Sequence, residues 1–169
     1  MEKKNIVLCG FMGSGKTTVG RLLGKITGMR FVDLDKYIEK KYNTTIRQIF
    51  DEHGEAYFRD LEHEATKELA QRRNHVISAG GGTLLYERNV EVFKKSCTVI
   101  LLSVPLSVIK YRLRNDKKRP LLQRADKEKV MEDLYNARLP LYQKAADHTV
   151  NANQSPYSIA HSIANLVLK

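Results

Sequence analysis

The sequence predicts one α/β domain with a parallel β-sheet flanked by helices. Two observations support this fold class. Short apolar runs alternate along the chain with longer segments whose apolar residues recur every three or four positions. The first apolar run also ends at a glycine-rich phosphate-binding signature. Strands that alternate with helices are typical of βαβ units, which build a parallel sheet covered on both faces. Ligands of such sheets bind at the carboxyl ends of the strands, where we look for chemistry.

The length and composition fit a single globular domain over residues 1–169. The chain has 169 residues, of which 42% are hydrophobic and 28% charged, and a domain usually takes about 100–200 residues. The apolar uncharged stretch Ser96–Ile109 spans 14 residues, whereas a membrane helix needs about 20. The first ten residues lack the apolar run of about 7–15 that a secretory signal requires. We therefore expect a cytoplasmic, monomeric protein that does not associate with membranes.

The predicted elements follow one another in a simple order. The predicted strands are the apolar or alternating runs Asn5–Cys9, Phe31–Asp35, His75–Ala79, Thr98–Val104 and Thr149–Val150. Helical periodicity covers Lys16–Ile26, the face formed by Phe58, Leu61, Ala65 and Leu69, the segment after Pro105, Asp126 to about Lys144, and a closing helix from Pro156. Thr45 and Gln48 have the spacing of a capping box, which predicts a helix start. Pro140 is expected to kink or end its helix.

Residues 10–17, G-F-M-G-S-G-K-T, match the complete phosphate-loop pattern G-x-x-x-x-G-K-[ST]. Glycines allow backbone N–H groups to curl around phosphate oxygens, and the helix that follows directs its positive end at the same anion. The pattern predicts that Lys16 contacts the β- and γ-phosphates and that the Thr17 hydroxyl binds Mg²⁺. The candidate nucleotide ligands in this loop are Gly13, Ser14, Gly15, Lys16, Thr17 and Thr18.

The rest of the sequence indicates which nucleotide the phosphate loop binds. No N-K-x-D motif for guanine is present, so ATP is favoured over GTP. No apolar run ends in an Asp-Glu pair of the kind that motor and helicase ATPases carry. The sequence therefore favours a small phosphotransferase with ATP as co-substrate and Mg²⁺ as cofactor.

Two acidic residues, Asp33 and Asp35, end the second predicted strand. Side chains alternate along a strand, so both are expected on the same face. Like charges so placed repel unless a cation or a hydroxyl donor lies between them, and Mg²⁺ with an acceptor alcohol would supply both. The alternative is that Asp35 only caps the next helix.

Two further patterns each allow a functional and a structural interpretation. Arg59 and Glu62 are neighbours at i,i+3 on a predicted helix, outside its apolar face. Arg59 suits bidentate binding of a carboxylate ligand, or it forms an ordinary surface ion pair. Gly80, Gly81 and Gly82 end the third strand. They suit a ligand that approaches the backbone closely, or they form a plain loop.

The charge distribution points to an anionic partner. The net charge is +10 with a pI near 9.6, and the segment from Lys110 to Lys129 holds nine basic and three acidic residues. Nucleic acid, a membrane surface or a phosphorylated small molecule would each fit such a balance. A nucleic-acid surface would interleave aromatic with basic residues, and this segment contains only Tyr111. We therefore expect a small-molecule partner and no nucleic acid.

Taken together, six motifs resemble the shikimate kinase family over nearly the whole chain. They are the phosphate loop, D-L-D at 33–35, G-E-x-x-F-R-x-x-E from Gly54 to Glu62, G-G-G at 80–82, R-P-L-L from Arg119 to Leu122, and R-x-P-L-Y from Arg138 to Tyr142. The resemblance implies the nucleoside-monophosphate-kinase fold: a five-stranded parallel sheet, a substrate-binding helical region near 33–62 and a lid near 115–125. It also implies transfer of the ATP γ-phosphoryl group to the 3-hydroxyl of shikimate, in the chorismate route to aromatic amino acids.

The resemblance also implies roles for individual residues. Asp35 would bind the acceptor hydroxyl and is a candidate base, and Asp33 would help to hold Mg²⁺ through water. Arg59, oriented by Glu62, and Arg138 would clamp the shikimate carboxylate, while the ring hydroxyls would meet Gly80, Gly81 and Gly82. Arg119 of the lid would meet the transferred phosphoryl group, and Arg112 matches the arginine that stacks on adenine.

Three competing functions are kept open. A gluconate- or nucleotide-kinase-like enzyme would share the fold but would lack the paired arginines beside a glycine triplet. A nucleic-acid-binding protein would need a recognisable module. An ATP-binding protein without kinase activity would not need Lys16, Asp35 and Arg119 together. The five histidines show no metal-ligand spacing, and His63 is expected to be exposed on its helix.

Overall fold

The computed structural model describes residues 4–119 and 122–168, which form a five-stranded parallel sheet flanked by helices. The strands are β1 (Asn5–Cys9), β2 (Arg30–Asp33), β3 (His75–Ser78), β4 (Cys97–Ser103) and β5 (His148–Asn151). Their order across the sheet is β2-β3-β1-β4-β5. The predicted fold class is confirmed.

The helices connect successive strands. They are α1 (Lys16–Thr27), α2 (Leu34–Tyr42), α3 (Ile46–His53), α4 (Glu55–Ala70), α5 (Glu87–Ser96), α6 (Leu106–Arg112), α7 (Lys127–Ala145) and α8 (Pro156–Val167), with a short 3-10 turn at Thr83–Leu85. From β1 the chain crosses to β2 in one direction, and the later connections run back across the sheet. Since parallel crossovers are almost always right-handed, helices lie on both faces. Helix α8 packs beside α1, and α5 packs beside α4.

The central strand explains where a ligand can bind. All five residues of β1 are buried, and β1 pairs with β3 on one side and β4 on the other. The connections leaving β1 and β4 run in opposite directions, which opens a crevice above the carboxyl end of β1. Cys9, the last residue of β1, belongs to the apolar core, as its run predicts.

Local capping fixes the ends of several helices. Thr45 and Gln48 form both hydrogen bonds of the predicted capping box at the start of α3. Ser155 caps α8 with Pro156 in its first turn. Helix α1 ends at Gly28, whose φ of 73° favours glycine.

Three details differ from the sequence prediction. Strand β2 ends at Asp33 and α2 begins at Leu34, so Asp35 lies in the first turn of a helix and not on a strand. Helix α7 continues through Pro140 to Ala145, so Pro140 does not end it, while the predicted kink stays a prediction. Helix α5 was not predicted, because only Asn89, Val90 and Phe93 of its ten residues are buried, which leaves too few apolar positions for a clear period.

No helix within these two ranges combines the length and the apolarity needed to cross a bilayer.

Candidate active site

The phosphate loop joins the buried end of β1 to the first turn of α1. Gly13 and Gly15 have φ values of 78° and 93°, a left-handed conformation that L side chains rarely adopt. Gly15 is the N-cap of α1 and forms no side-chain cap, so the amide groups of the first turn are not covered by a capping side chain. The loop therefore presents backbone donors and a positive helix end to the same region.

Lys16 lies across this loop. Its Nζ donates to Gly10 O at 2.8 Å and to Phe11 O at 3.3 Å. Desolvation lowers the pKa of Lys16 to about 8, although the negative field of Asp35 and Asp33 works in the opposite direction. The ammonium group is thus held near the protein's acidic residues and would gain from an anionic ligand.

Asp33 and Asp35 line the same cleft although they do not lie on the same strand. Asp33 is the N-cap of α2, and its Oδ1 accepts a hydrogen bond of 3.0 Å from Lys36 N. The alternative that Asp35 only caps the next helix is therefore wrong, since Asp33 has that role. Desolvation, together with the charges of Asp33 and Glu62, raises the pKa of Asp35 to about 6. Asp35 is thus a carboxylate that would gain from a cation or a hydroxyl donor.

The glycine triplet runs beside three predicted site residues. A Cβ atom added to Gly80 would lie 2.7 Å from Asp35 Oδ1, and one added to Gly82 would lie 2.5 Å from Arg59 Nη1. A Cβ atom on Gly81 would lie 3.5 Å from Arg138 Nη1. The atoms that a Cβ at 80 or 82 would meet are ends of side chains, so a substitution there would push the Asp35 carboxylate or the Arg59 guanidinium aside. The triplet therefore packs directly against predicted site residues, and its role in ligand binding stays a prediction.

Arg59 is anchored to a buried carboxylate. Its Nη1 donates to Glu62 Oε1 at 3.0 Å, and the Glu62 side chain is only 1% exposed. The guanidinium group also lies over the Phe58 and Tyr86 rings, at 5.2 and 5.1 Å from their centroids. An ordinary surface ion pair has neither feature, so that alternative is wrong.

A buried polar chain behind Glu62 was missed by the sequence analysis. Thr83 Oγ1 donates to Glu62 Oε2 at 3.0 Å, and Asn89 Nδ2 donates to Thr83 O at 2.9 Å. His63 Nδ1 lies 2.8 Å from Asn89 Oδ1, so His63 is half-buried and not exposed as predicted. Because Thr83 N also donates to Gly80 O, this chain connects Arg59 to the glycine triplet. No sequence signal pointed to it, since its members lie up to 30 residues apart.

Tyr142 is a second residue whose role the sequence left unassigned. Its hydroxyl donates to Gly81 O at 2.5 Å, and the ring is buried. Burial raises the pKa of Tyr142 to about 12, against the effect of the Arg138 charge, so the hydroxyl keeps its proton at neutral pH. Its place in the R-x-P-L-Y motif was the available signal.

Arg119 and Arg112 lie on the basic segment after β4. The Asp116 carboxylate binds Arg119 twice, through the backbone N–H at 3.0 Å and through the guanidinium. Arg112 Nη1 donates to Gly13 O at 2.9 Å and Nη2 to Ala152 O at 3.4 Å, which places it against the phosphate loop. Pro120 and Leu121 of the predicted lid lie outside the described residues.

Most predicted site residues share one cleft of about 440 Å³ at the carboxyl ends of β1, β2 and β3. The cleft is lined by Met12, Gly13, Gly15, Lys16, Thr17, Thr18, Asp33, Asp35, Ser78, Ala79, Gly80, Gly81, Arg119 and Arg138. Arg59 does not line it but lies against its rim at Gly82. Arg112 does not line it either, although it contacts the loop at Gly13 O. The cleft joins an anion-binding loop to a carboxylate and an arginine-flanked rim.

Comparisons with known proteins agree with this arrangement. The sequence model of the shikimate kinase family matches residues 12–167. Curated shikimate kinases from Persephonella marina and Thermodesulfovibrio yellowstonii are 42% and 41% identical, each over 95% of this chain and over 96% and 92% of their own lengths. A solved shikimate kinase from Acinetobacter baumannii, in complex with shikimate, superposes with a TM-score of 0.91 at 40% identity, covering 98% of this chain and 93% of that one.

Proposed function

The chain belongs to the shikimate kinase family, and we propose that its cleft transfers the γ-phosphoryl group of ATP to the 3-hydroxyl of shikimate. The products are shikimate 3-phosphate and ADP. The observation that carries the proposal is the single cleft in which Lys16 of the phosphate loop, Asp35 and Arg138 line one space. Phosphoryl transfer needs donor and acceptor held in line with their charges neutralised, and this cleft provides groups for both.

The acceptor side of the cleft suits a small hydroxylated carboxylate. Arg138 and Arg59 lie against adjacent glycines, so their guanidinium groups can bind one carboxylate together. Asp35, against Gly80, accepts the hydrogen bond of the reacting hydroxyl and takes its proton as the O–P bond forms. Its pKa of about 6 keeps it ionised at neutral pH and still makes it a stronger base than an exposed aspartate.

The donor side places positive charge where phosphate oxygens would lie. Lys16 and the backbone N–H groups of the loop contact the β- and γ-phosphates, and Arg119 stabilises the group in transfer. Arg119 is partly exposed and tethered to Asp116 of its own segment, which fits a residue that moves with the lid. Arg112, which contacts the loop at Gly13 O, would stack on the adenine ring.

The residues present fit a Mg²⁺ ion. The Thr17 hydroxyl and the Asp33 and Asp35 carboxylates are hard oxygen donors in one cleft, and the mutual repulsion of the two carboxylates would be relieved by a cation. Thr17, and Asp33 through water, would hold the ion. Within residues 4–119 and 122–168 no larger group of acidic, histidine or cysteine side chains gathers as a metal site. That suits Mg²⁺, which binds kinases through few carboxylates together with substrate phosphates. When bound, the ion neutralises charge on the phosphates.

The wider assignments belong to the same proposal. One domain spans residues 1–169, with the acceptor bound by the region near 33–62 and a lid near 115–125 that closes over ATP. We also propose a monomeric cytoplasmic enzyme without a nucleic-acid or membrane partner; the monomer is supported by a cleft that residues of one chain line.

The test is Mg²⁺-dependent release of ADP from ATP with and without shikimate. We expect shikimate to raise the rate strongly, whereas gluconate and nucleoside monophosphates leave it near the background. The Arg138→Ala variant should raise the shikimate KM at least about 10-fold, since it loses charge-assisted hydrogen bonds, while the ATP KM stays near the wild-type value. Arg88→Ala, which removes an exposed ion pair with Asp60, is the matched control.

Two results would overturn the assignments. If shikimate does not stimulate ADP release although ATP binds, the acceptor is a different alcohol or the chain has no kinase activity. If shikimate stimulates but Arg138→Ala leaves its KM unchanged, the activity stands and the carboxylate clamp is wrong.

A further inference from the structure

A second cleft lies at the opposite end of the sheet from the active site. It encloses about 650 Å³ beside the amino ends of β1 and β4, between the ends of α4 and α5. We call it the basal cleft and define it by its basic residues Lys4, Lys67, Arg72, Arg73 and Lys95. Among the described residues that line it, none is acidic. Such a volume is in the range of small-molecule sites.

Within the basal cleft, Lys4, Lys67, Arg72 and Lys95 are only partly neutralised, whereas Arg73 already has an interaction partner. Lys4 and Lys95 form no ion pair or hydrogen bond with any residue in 4–119 or 122–168. Lys67 pairs with Glu64 at 2.6 Å, and both side chains are about half exposed. The Arg72 guanidinium lies over the Tyr37 ring, 5.1 Å from its centroid, and its charge also acts on the Glu68 carboxylate.

Helix ends account for only part of this concentration of positive charge, since Lys67 and Lys95 lie in the last turns of α4 and α5 whereas Lys4 and Arg72 do not. Cations often gather at helix C-termini because they satisfy the last carbonyl groups. At the end of α4, two carbonyls already accept from uncharged donors: Asn5 Nδ2 donates to Leu69 O, and Ser96 Oγ donates to Ala70 O. The lysines are therefore left facing a shared concavity in which like charges repel one another. An anionic ligand would remove that repulsion.

From these observations we infer that the basal cleft is a second binding site, which takes a small molecule carrying two or more phosphate or carboxylate groups. A single charge would leave most of the repulsion in place, whereas a polyanion can contact Lys67, Arg72 and Lys95 at once. Two adjacent polar atoms, Asn5 Nδ2 and Ser96 Oγ, are already occupied by carbonyl groups, so recognition is by charge. Since the cleft lies at the amino ends of the strands, this ligand does not compete with ATP or shikimate.

The experiment titrates methylenediphosphonate into the protein at 150 mM NaCl and follows resolved backbone amides by NMR. ADP and shikimate are present in excess so that the active site is filled. We expect saturable shifts at Gln71 and Ser96, and none at Gly13 and Gly15. The Lys67→Gln/Lys95→Gln variant should weaken the binding at least about 10-fold. The Lys25→Gln/Lys144→Gln variant removes the same charge outside both clefts and should bind as the wild type does.

The remaining outcomes contradict the inference. Shifts confined to the phosphate loop would place the only anion site in the active cleft. Equal weakening in both double variants would mean that net charge, and not the basal cleft, attracts the ligand. Linear, unsaturated shifts would mean an adventitious ion atmosphere. Binding of an RNA oligomer or of anionic vesicles without binding of the diphosphonate would assign the surface to a macromolecule. All variants retain kinase activity if they fold, which the ADP assay checks.

Discussion

Replacing Asp35 with asparagine is expected to abolish turnover and at the same time to stabilise the folded protein at neutral pH. Asp35 is desolvated and lies near the charges of Asp33 and Glu62, which together raise its pKa from 3.8 to about 6. Asparagine has nearly the same shape, so the contact with Gly80 is preserved. The variant loses only the charge and the capacity to accept a proton.

The size of the stabilisation follows from this difference in pKa. A tenfold change in proton affinity is worth about 1.4 kcal/mol, so a change from 3.8 to about 6 corresponds to an upper value of about 3 kcal/mol. Asp35 is partly exposed, and solvent screening reduces the expected gain to about 1–2 kcal/mol. Above pH 6 the group is ionised in both states, and only the folded state carries the cost. Below pH 3.8 it is neutral in both states, and the cost vanishes.

Urea unfolding followed by far-UV circular dichroism measures this effect, because the chain contains no tryptophan for fluorescence. The free energy of unfolding of Asp35→Asn should exceed that of the wild type at pH 7.5 and should approach it at pH 4. The exposed Asp51→Asn substitution on α3 serves as a control and should change stability by less than about 0.5 kcal/mol at both pH values. The reasoning is refuted if the variant gains no stability at pH 7.5, or if the gain is the same at pH 4.

Three other expectations follow from the same cleft. Gly82→Ala places a Cβ 2.5 Å from Arg59 Nη1, so the shikimate KM should rise about 10-fold or more, whereas the ATP KM should change little. An unchanged shikimate KM in steady-state assays would contradict the contact. Thr83→Val removes the hydroxyl that donates to the buried Glu62 and should lower the free energy of unfolding in urea by about 1–3 kcal/mol. Thr83→Ser keeps the hydroxyl and should retain most of that stability. Equal losses in both variants would indicate a packing effect. Desolvation lowers the pKa of Lys16 to about 8, so the free enzyme loses this positive charge as the pH rises through 8. The ATP affinity, measured by calorimetry, should therefore fall above that pH. An ATP affinity that stays constant from about pH 7 to 9.5 would be evidence against a binding role for the Lys16 charge.

Features that depend on residues close together in the sequence were predictable, because each is recognised from a few neighbouring residue types. The phosphate loop is one continuous motif, since its glycines and Lys16 must be adjacent to wrap one anion. The capping box of Thr45 and Gln48 is equally local. The alternation of strands with helices sufficed to predict a parallel sheet, because each run is short and the crossovers have a preferred hand.

Other features depended on distant parts of the chain. Periodicity placed Asp33 and Asp35 on one strand, whereas the boundary between β2 and α2 separates them, and the cap formed by Asp33 decides that boundary. Helix α5 was missed because most of its surface is exposed. His63 was expected to be exposed, yet Asn89, 26 residues away along the chain, binds its ring.

The sequence alone determined the fold class, the phosphate loop and the family, because these rest on residue types at short, fixed spacings. Only the tertiary structure decided which side chains support the cleft: Thr83 behind Glu62, and Tyr142 on Gly81. It also brought together the basic residues of the basal cleft from the start of β1 and the ends of two helices. Hydrogen bonds and electrostatic interactions between side chains require distances of a few ångströms. Residues far apart in the chain reach those distances only once the sheet and its helices have packed.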